Sequence, residues 1–383
     1  PMLGIIAVGL AGTIRDLASR VHPLFAHVFV AANYLAIGPC LAIPRTSSTS
    51  FEMFEPLLPA GLSLEVARLV FSVVFFAVAY LLAMHPNALT RLLGRITGPA
   101  LIALLVFVIG AALFDPASGL EAAHATYVSA PAMSGFLTGY QTMDLLASLT
   151  FGIVIATNIR ELGVTDDAGL TREVSRAGIF AGVLMGIIYC GLALVGVNIA
   201  AVLPGATNGA EILAASAGQH FGTVGTVVVA AIFLLACLNV CIGLISCCGT
   251  YFSDEFPRIP YRVWALGFAV FSCVVSNFGL DAILTFSVPL LNAMYPMAIV
   301  LVVMGMLHKV CDGMPAVWPC AVGLTAVVSI VTSLRDAFFT GTWLPFDVLP
   351  FADLGMNWVV PALLGALIGV VVSFAGKKLQ SAS

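Results

Sequence analysis

The side chains best suited to metal or nucleophile chemistry are nine cysteines and six histidines. None of them forms a C-x-x-C pair or another spacing that would bring four soft ligands together. Cys237, Cys241, Cys247 and Cys248 share one apolar stretch, where a thiol packs as a small hydrophobe. The histidines lie near the ends of apolar segments, with no H-E-x-x-H and no paired carboxylates, so the nucleophile and base of a hydrolase are not visible. Three other stretches carry polar atoms of a different use. GPCLAIPRTSSTSFE at 38–52 meets Gly38, Pro39, Pro44, Arg45, five consecutive hydroxyls and Glu52 within fifteen residues. Asp144 precedes the run SLTFG, and Pro289 and Pro296 flank Asn292. Interrupted backbone with hydroxyls and an isolated acid suits reversible binding of a small polar ligand; it does not suit covalent chemistry.

The elements that must position these residues belong in a bilayer. Apolar residues make up 61% of the 383 and charged ones 9%, with a mean hydropathy of +1.09, whereas soluble domains carry about 25% charge. The net charge of −4 and the lack of any basic block exclude nucleic acid as a partner and leave small molecules or ions as cargo. Taking about 20 apolar residues per spanning helix, ten complete spans are predicted, at 24–43, 67–84, 96–114, 136–159, 177–202, 221–252, 263–278, 282–307, 315–334 and 357–375. The opening PMLGIIAVGLAG is half a span without a basic region ahead of it, and reads as the tail of a helix that begins upstream.

Positive charge supports that count. With the Arg15–Arg20 loop cytoplasmic, alternation puts Arg91, Arg95, Arg160, Arg172, Arg176, Arg258, Arg262, Lys309, Lys377 and Lys378 on the same side. Of the fifteen basic residues only Arg45, Arg68 and Arg335 fall opposite, among the acids Glu52, Glu55, Glu65, Asp115, Glu121, Glu211, Asp336, Asp347 and Asp353. Several spans are interrupted: 24–43 by Gly38 and Pro39, 282–307 by Pro289 and Pro296, and 136–159 by Asp144 and the glycine-ending SLTFG. Unpaired backbone at membrane depth persists only where protein or a wet cavity satisfies it, as in secondary transporters.

GPCLAIPRTSSTSFE, GYQTMDLLASLTFGIVI, ACLNVCIGLISCC, VSNFGLDAIL and SVPLLNAMYP occur in an order, spread along the whole chain, that resembles the bacterial branched-chain amino acid:cation symporters, the BrnQ-type family. The resemblance implies an all-α polytopic membrane protein of the LeuT-like fold, with two inverted five-helix repeats and two further C-terminal helices, in the bacterial inner membrane. On that template 1–114 is the remainder of the first repeat (family helices 2–5, the second incomplete), 115–308 the second repeat (helices 6–10) and 309–383 the two added helices and tail. The first helix and part of the second would then precede this chain. The cargo implied is leucine, isoleucine or valine, with sodium as coupling ion and no other cofactor.

The same resemblance assigns roles. SLTFG, that is Ser148, Leu149, Thr150, Phe151 and Gly152, corresponds to the point where the sixth family helix unwinds, freeing main-chain groups for the charged ends of an amino acid while Phe151 faces its side chain. Asp144, a turn earlier, is expected to balance an amine, take a proton, or cap a helix near the outer interface. Ser246, with the carbonyls of Ile242 and Gly243, sits where such carriers present oxygen to sodium. Gly38, Pro39, Pro44, Arg45 and Glu52 read as a structural device in the third family helix, with Arg45 and Glu52 as a gate pair, and Pro289, Asn292 and Pro296 as a hinge in the tenth. Competing readings are a carrier of the same fold coupled to protons through Asp144 or selective for another amino acid, a passive channel, which would favour a continuous polar lining, and an embedded enzyme.

Overall fold

The structure is a computed structural model and describes residues 2–59, 61, 63–85, 88–114, 126–164, 166–200, 202–311, 313–339 and 341–380. Among the described residues every regular element is helical: α1 (Met2–Ala11), α2 (Ile14–Ser19), α3 (Pro23–Leu35), α4 (Ala42–Phe54), α5 (Leu64–Met84), α6 (Ala88–Phe114), α7 (Thr126–Ser129), α8 (Pro131–Thr138), α9 (Asp144–Glu161), α10 (Asp167–Ala200), α11 (Gly209–Glu255), α12 (Tyr261–Ser276), α13 (Leu280–Met306), α14 (His308–Cys311), α15 (Val317–Phe338) and α16 (Val359–Gln380). Among the described residues eight helices are long and apolar enough to cross a bilayer, or nine with the bent pair Pro131–Thr142 and Asp144–Glu161 counted as one span. The chain is therefore a multi-pass membrane protein.

All ten predicted spans overlap helices, of which α6, α10 and α11 begin well before the predicted bounds, and two more differ in length. Helix α12 has 16 residues, a rise of about 24 Å against a hydrocarbon core of about 30 Å. The span predicted at 24–43 continues through the hydroxyl run, so that Pro23–Leu57 forms one 35-residue path. Two of the acids in the charge partition, Asp115 and Glu121, lie outside the described residues.

That long path shows how sequence sets local shape. Pro39 has no N–H to give the carbonyl four residues back, and its ring crowds that carbonyl. The helix accordingly widens to a π turn over Ala36–Cys40, with Gly38 at φ −100° and ψ −123°. Pro44, by contrast, is the third residue of α4, where an N–H would have no intrahelical partner. The hydroxyls then serve backbone: Thr46 donates to Ile43 O at 2.6 Å, Ser50 to Thr46 O at 2.8 Å, and Ser48 to Pro44 O and to Ser276 O at 3.3 and 3.1 Å. Ser272 donates to Pro39 O at 3.3 Å, and the Cys248 thiol to Tyr34 O at 3.4 Å. Burying these hydroxyls without such bonds would cost about 1–3 kcal/mol each.

The chain divides into two compact units. One contains Pro1–Asn33, Ala123–Val183 and Phe286–Ser383. Within it α1 lies against α9 so closely that a methyl group added at Gly152 would stand 2.8 Å from Val8 Cγ1, and α15 packs along α16. The other unit contains Tyr34–Ala122 and Leu184–Thr285, with a core of Met53, Leu104, Val108, Val195, Leu213 and Leu280 among others. Its long helix α11 bends at Gly222, where φ is +63°, a conformation glycine adopts without steric cost.

Candidate substrate and ion site

The 136–159 span is indeed broken, but not at SLTFG. Helix α8 tightens into a 3-10 turn, Gly139–Thr142, and the chain then passes through Met143 at φ 58° and ψ 11° before α9 starts at Asp144. The two halves are inclined by 45°. A left-handed conformation in a residue with a side chain costs roughly 1–3 kcal/mol and persists only where the surroundings fix it. Met143 is buried, its N–H donates to Tyr140 O at 3.1 Å, and the Thr142 hydroxyl donates to Gly139 O at 2.8 Å. Downstream, the opening N–H groups of α9 have no i−4 carbonyl within the helix.

Helix α13 closes over this break. The Tyr295 ring stacks on that of Tyr140, with centroids 4.3 Å apart, and both residues are buried. Ser287 donates to Gln141 Oε1 at 2.9 Å. The Tyr140 hydroxyl and the Trp358 indole N–H lie near each other without a hydrogen bond of normal geometry, and the buried Tyr295 hydroxyl stands in the same way near the Leu145 N–H and Thr142. Beside them lies a cavity of about 110 Å³ that Tyr140 shares with Asn292, Pro296, Arg335, Asp347 and Trp358. Asn292 and Pro296 thus come to the break. Pro289 lies further along α13 and accepts the Ser333 hydroxyl at its carbonyl. At the cavity's edge Arg335 holds Asp347 at 2.5 Å, and the Leu344 N–H donates to the same carboxylate at 2.8 Å. That N–H, and then the guanidinium, keep the Asp347 carboxyl below its ordinary range.

Ser148–Gly152 is regular helix inside α9, which corrects the expected unwinding there. Gly152 is small because α1 crosses it, not because the helix ends; on the same face a methyl at Gly4 would collide with the Ser148 hydroxyl. Ser148 donates to Leu145 O at 2.7 Å and Thr150 to Leu146 O at 3.1 Å. Leu149 is buried, and Phe151 is partly so. Asn33 of α3, which the sequence reading passed over, donates to Thr150 Oγ1 at 2.7 Å and to Leu146 O at 3.3 Å, while its own buried carbonyl oxygen has no partner. Asp144 stands four residues before Ser148 as the first residue of α9, where a negative charge complements the helix dipole.

Ser246 belongs to the other unit. Its oxygen lies 3.4 Å from the Tyr261 hydroxyl, which also donates to Ala83 O at 3.1 Å. Ile242 and Gly243 are within continuous helix, where carbonyls serve the i→i+4 ladder. In this unit Arg45 and Glu52 are two turns apart on α4. The basic group beside Glu52 is Arg68, and the ionisable neighbour of Arg45 is Tyr189. Among the described residues no group of three or more His, Cys, Asp or Glu is arranged to hold a metal ion.

Apolar helices long enough to span a bilayer, one of them broken beside a buried aromatic pair, define a polytopic membrane protein. Residues 1–375 match the family described as "Branched-chain amino acid transport protein", and the chain belongs to that family. It is 36% identical over 386 residues to the branched-chain amino acid permease BraB of Bacillus subtilis, covering 99% of this chain and 86% of the relative. Identity is also 36%, over 375 residues, to the branched-chain amino acid transport system 2 carrier protein of Pseudomonas aeruginosa, covering 97% and 85%. To the permease BrnQ of Escherichia coli K12 it is 31% over 388 residues, covering 100% and 87%.

Proposed function

We propose that this protein is a secondary transporter that takes up leucine, isoleucine and valine across the bacterial inner membrane by alternating access, coupled to sodium, on a LeuT-like pair of inverted repeats. The break at Gly139–Met143 carries the reading. There the N–H groups opening α9, which have no i−4 carbonyl within their own helix, suit a carboxylate, and carbonyls of the 3-10 turn suit an ammonium, the two charged ends common to all amino acids. The names of the relatives, all permeases or carriers for branched-chain amino acids, set the cargo class. An aliphatic tail lies against Met143 and points along α9 toward Phe151, two turns further on. Ser246 is the first candidate for the sodium site, because its hydroxyl is a hard oxygen donor of the kind sodium prefers.

Asp144 favours a second coupling reading. An acid at the first turn of α9, next to the cargo position, is placed to exchange a proton with each cycle. Labelled leucine uptake into proteoliposomes separates the two: a sodium gradient drives accumulation in the first, and a proton gradient alone in the second. Uptake that requires neither gradient removes the coupling claim, and no uptake of any branched-chain amino acid removes the cargo.

A further inference from the structure

Helix α5 has an apolar groove on each flank. The first, of about 690 Å³, runs between α5 and Phe51, Phe54, Leu234 and Leu238. The second, of about 700 Å³, runs between α5 and Leu266, Val270 and Val274 of α12. Along α5 they extend from Val66 to Val78 and from Leu69 to Leu81. Each is thus about 18 Å long, close to the roughly 15 Å depth of one leaflet's hydrocarbon. Such walls offer nothing to a polar ligand and fit hydrocarbon chains.

The head of α5 adds the charge that ordinary boundary lipid would not need. Both grooves begin at the turn that carries Arg68. Its guanidinium lies 5.4 Å over the Phe51 ring, a wall of the first groove. Its Nη1 would be 3.2 Å from a β-carbon on Gly279, two residues beyond Asn277 in the wall of the second. One cation therefore overlooks both. Around it stand carboxylates, since Glu52 is within electrostatic reach of Arg68, Glu55, Glu211 and Asp281. Glu211 and Asp281 are already bridged, by Thr207 through its N–H to Glu211 and its hydroxyl to Asp281, and by the Asn208 amide, which donates to both. Glu52 and Glu55 are half-buried, and Glu52 has Glu55 and Arg68 of α5 among its charged neighbours.

We infer that α5 is straddled by one diacyl aminophospholipid, with an acyl chain in each groove, its phosphate on Arg68 and its primary ammonium toward Glu52 and Glu55. The chemistry selects this headgroup. An anionic head meets one arginine and a surplus of carboxylates, and a quaternary choline has no N–H to donate to them.

The test is native mass spectrometry of the purified full chain in detergent, offered phosphatidylethanolamine, phosphatidylcholine and phosphatidylglycerol in equal amounts. One phosphatidylethanolamine per chain is expected to be retained in preference to the others. Arg68→Gln is expected to lower its retention about fivefold, the effect of one cation at a membrane surface. Val70→Trp and Val73→Trp fill the first and second groove from the lipid side and leave Arg68 in place; each lowers retention as well. Equal retention of the three lipids, a preference for phosphatidylglycerol, retention untouched by the two tryptophans, or a dimer of the chain in place of the bound lipid overturns the proposal.

Discussion

At the break Gln141 Oε1 accepts the hydroxyl of Ser287 at 2.9 Å. Gln141→Ala removes that bond and is expected to cost about 1 kcal/mol, read as a modest fall in thermal unfolding temperature with a larger loss of leucine uptake. A loss of stability with uptake unchanged would show the contact to be structural only. Asp347 makes a pH prediction. Its carboxyl is held below its ordinary range, so the contribution of the Leu344 and Arg335 contacts is complete above the unfolded value of about 4. That contribution is lost as pH falls through the lower folded value. Hydrogen exchange of the segment after Leu344 is therefore expected to be flat from neutral pH down to about 5, apart from the intrinsic exchange rate, and to quicken in strong acid. Arg335→Gln should shrink the step without abolishing it, because the Leu344 N–H remains.

At the scale of elements, the spans were legible because apolar runs near 20 residues have few alternatives in a bilayer. The disruption near Gly38 was legible too, since proline cannot sit in an unperturbed helix. The position of the break in the 136–159 span was not. Gly152 drew attention as a helix-breaking residue, yet it marks the crossing of α1, and a crossing partner is invisible along one chain. Gly139 and the acid at Asp144, in the first turn of α9, were the available signals for the true site; the left-handed Met143 had none, because methionine gives no hint of that conformation. Asn33 was missed for a similar reason: its hydrogen bonds reach Leu146 and Thr150, more than a hundred residues away. If Gly152 is a contact residue, Gly152→Leu overpacks the α1–α9 crossing and costs about 1–3 kcal/mol, while Gly139→Ala, where a methyl would meet nothing within 4 Å, is nearly silent in stability. Thermal unfolding in detergent measures both, and equal effects would contradict this division of roles.

On the scale of the whole molecule, charge and helix count make one joint statement about orientation. On the ten-span reading, twelve of the fifteen basic residues gather at the loops on one side, and adding or removing one span would scatter them. Single cysteines introduced at Arg172 and at Asp353 in a cysteine-free background are expected to label from opposite faces of the membrane, Asp353 from outside. Labelling of both from one face would require a different number of crossings. For the proposed sodium coupling the sequence offers less than it does for the spans: one hydroxyl at Ser246, within continuous helix, for an ion that binds through several oxygens.

The central claim is that an amino acid is held at the Gly139–Met143 break. Cryo-electron microscopy of the protein with leucine bound tests it most directly. The account predicts ligand density with its carboxylate at the N–H groups of Asp144, Leu145 or Leu146 and its tail toward Met143 and Phe151. Density elsewhere in the protein, with the break filled by protein side chains alone, would contradict it.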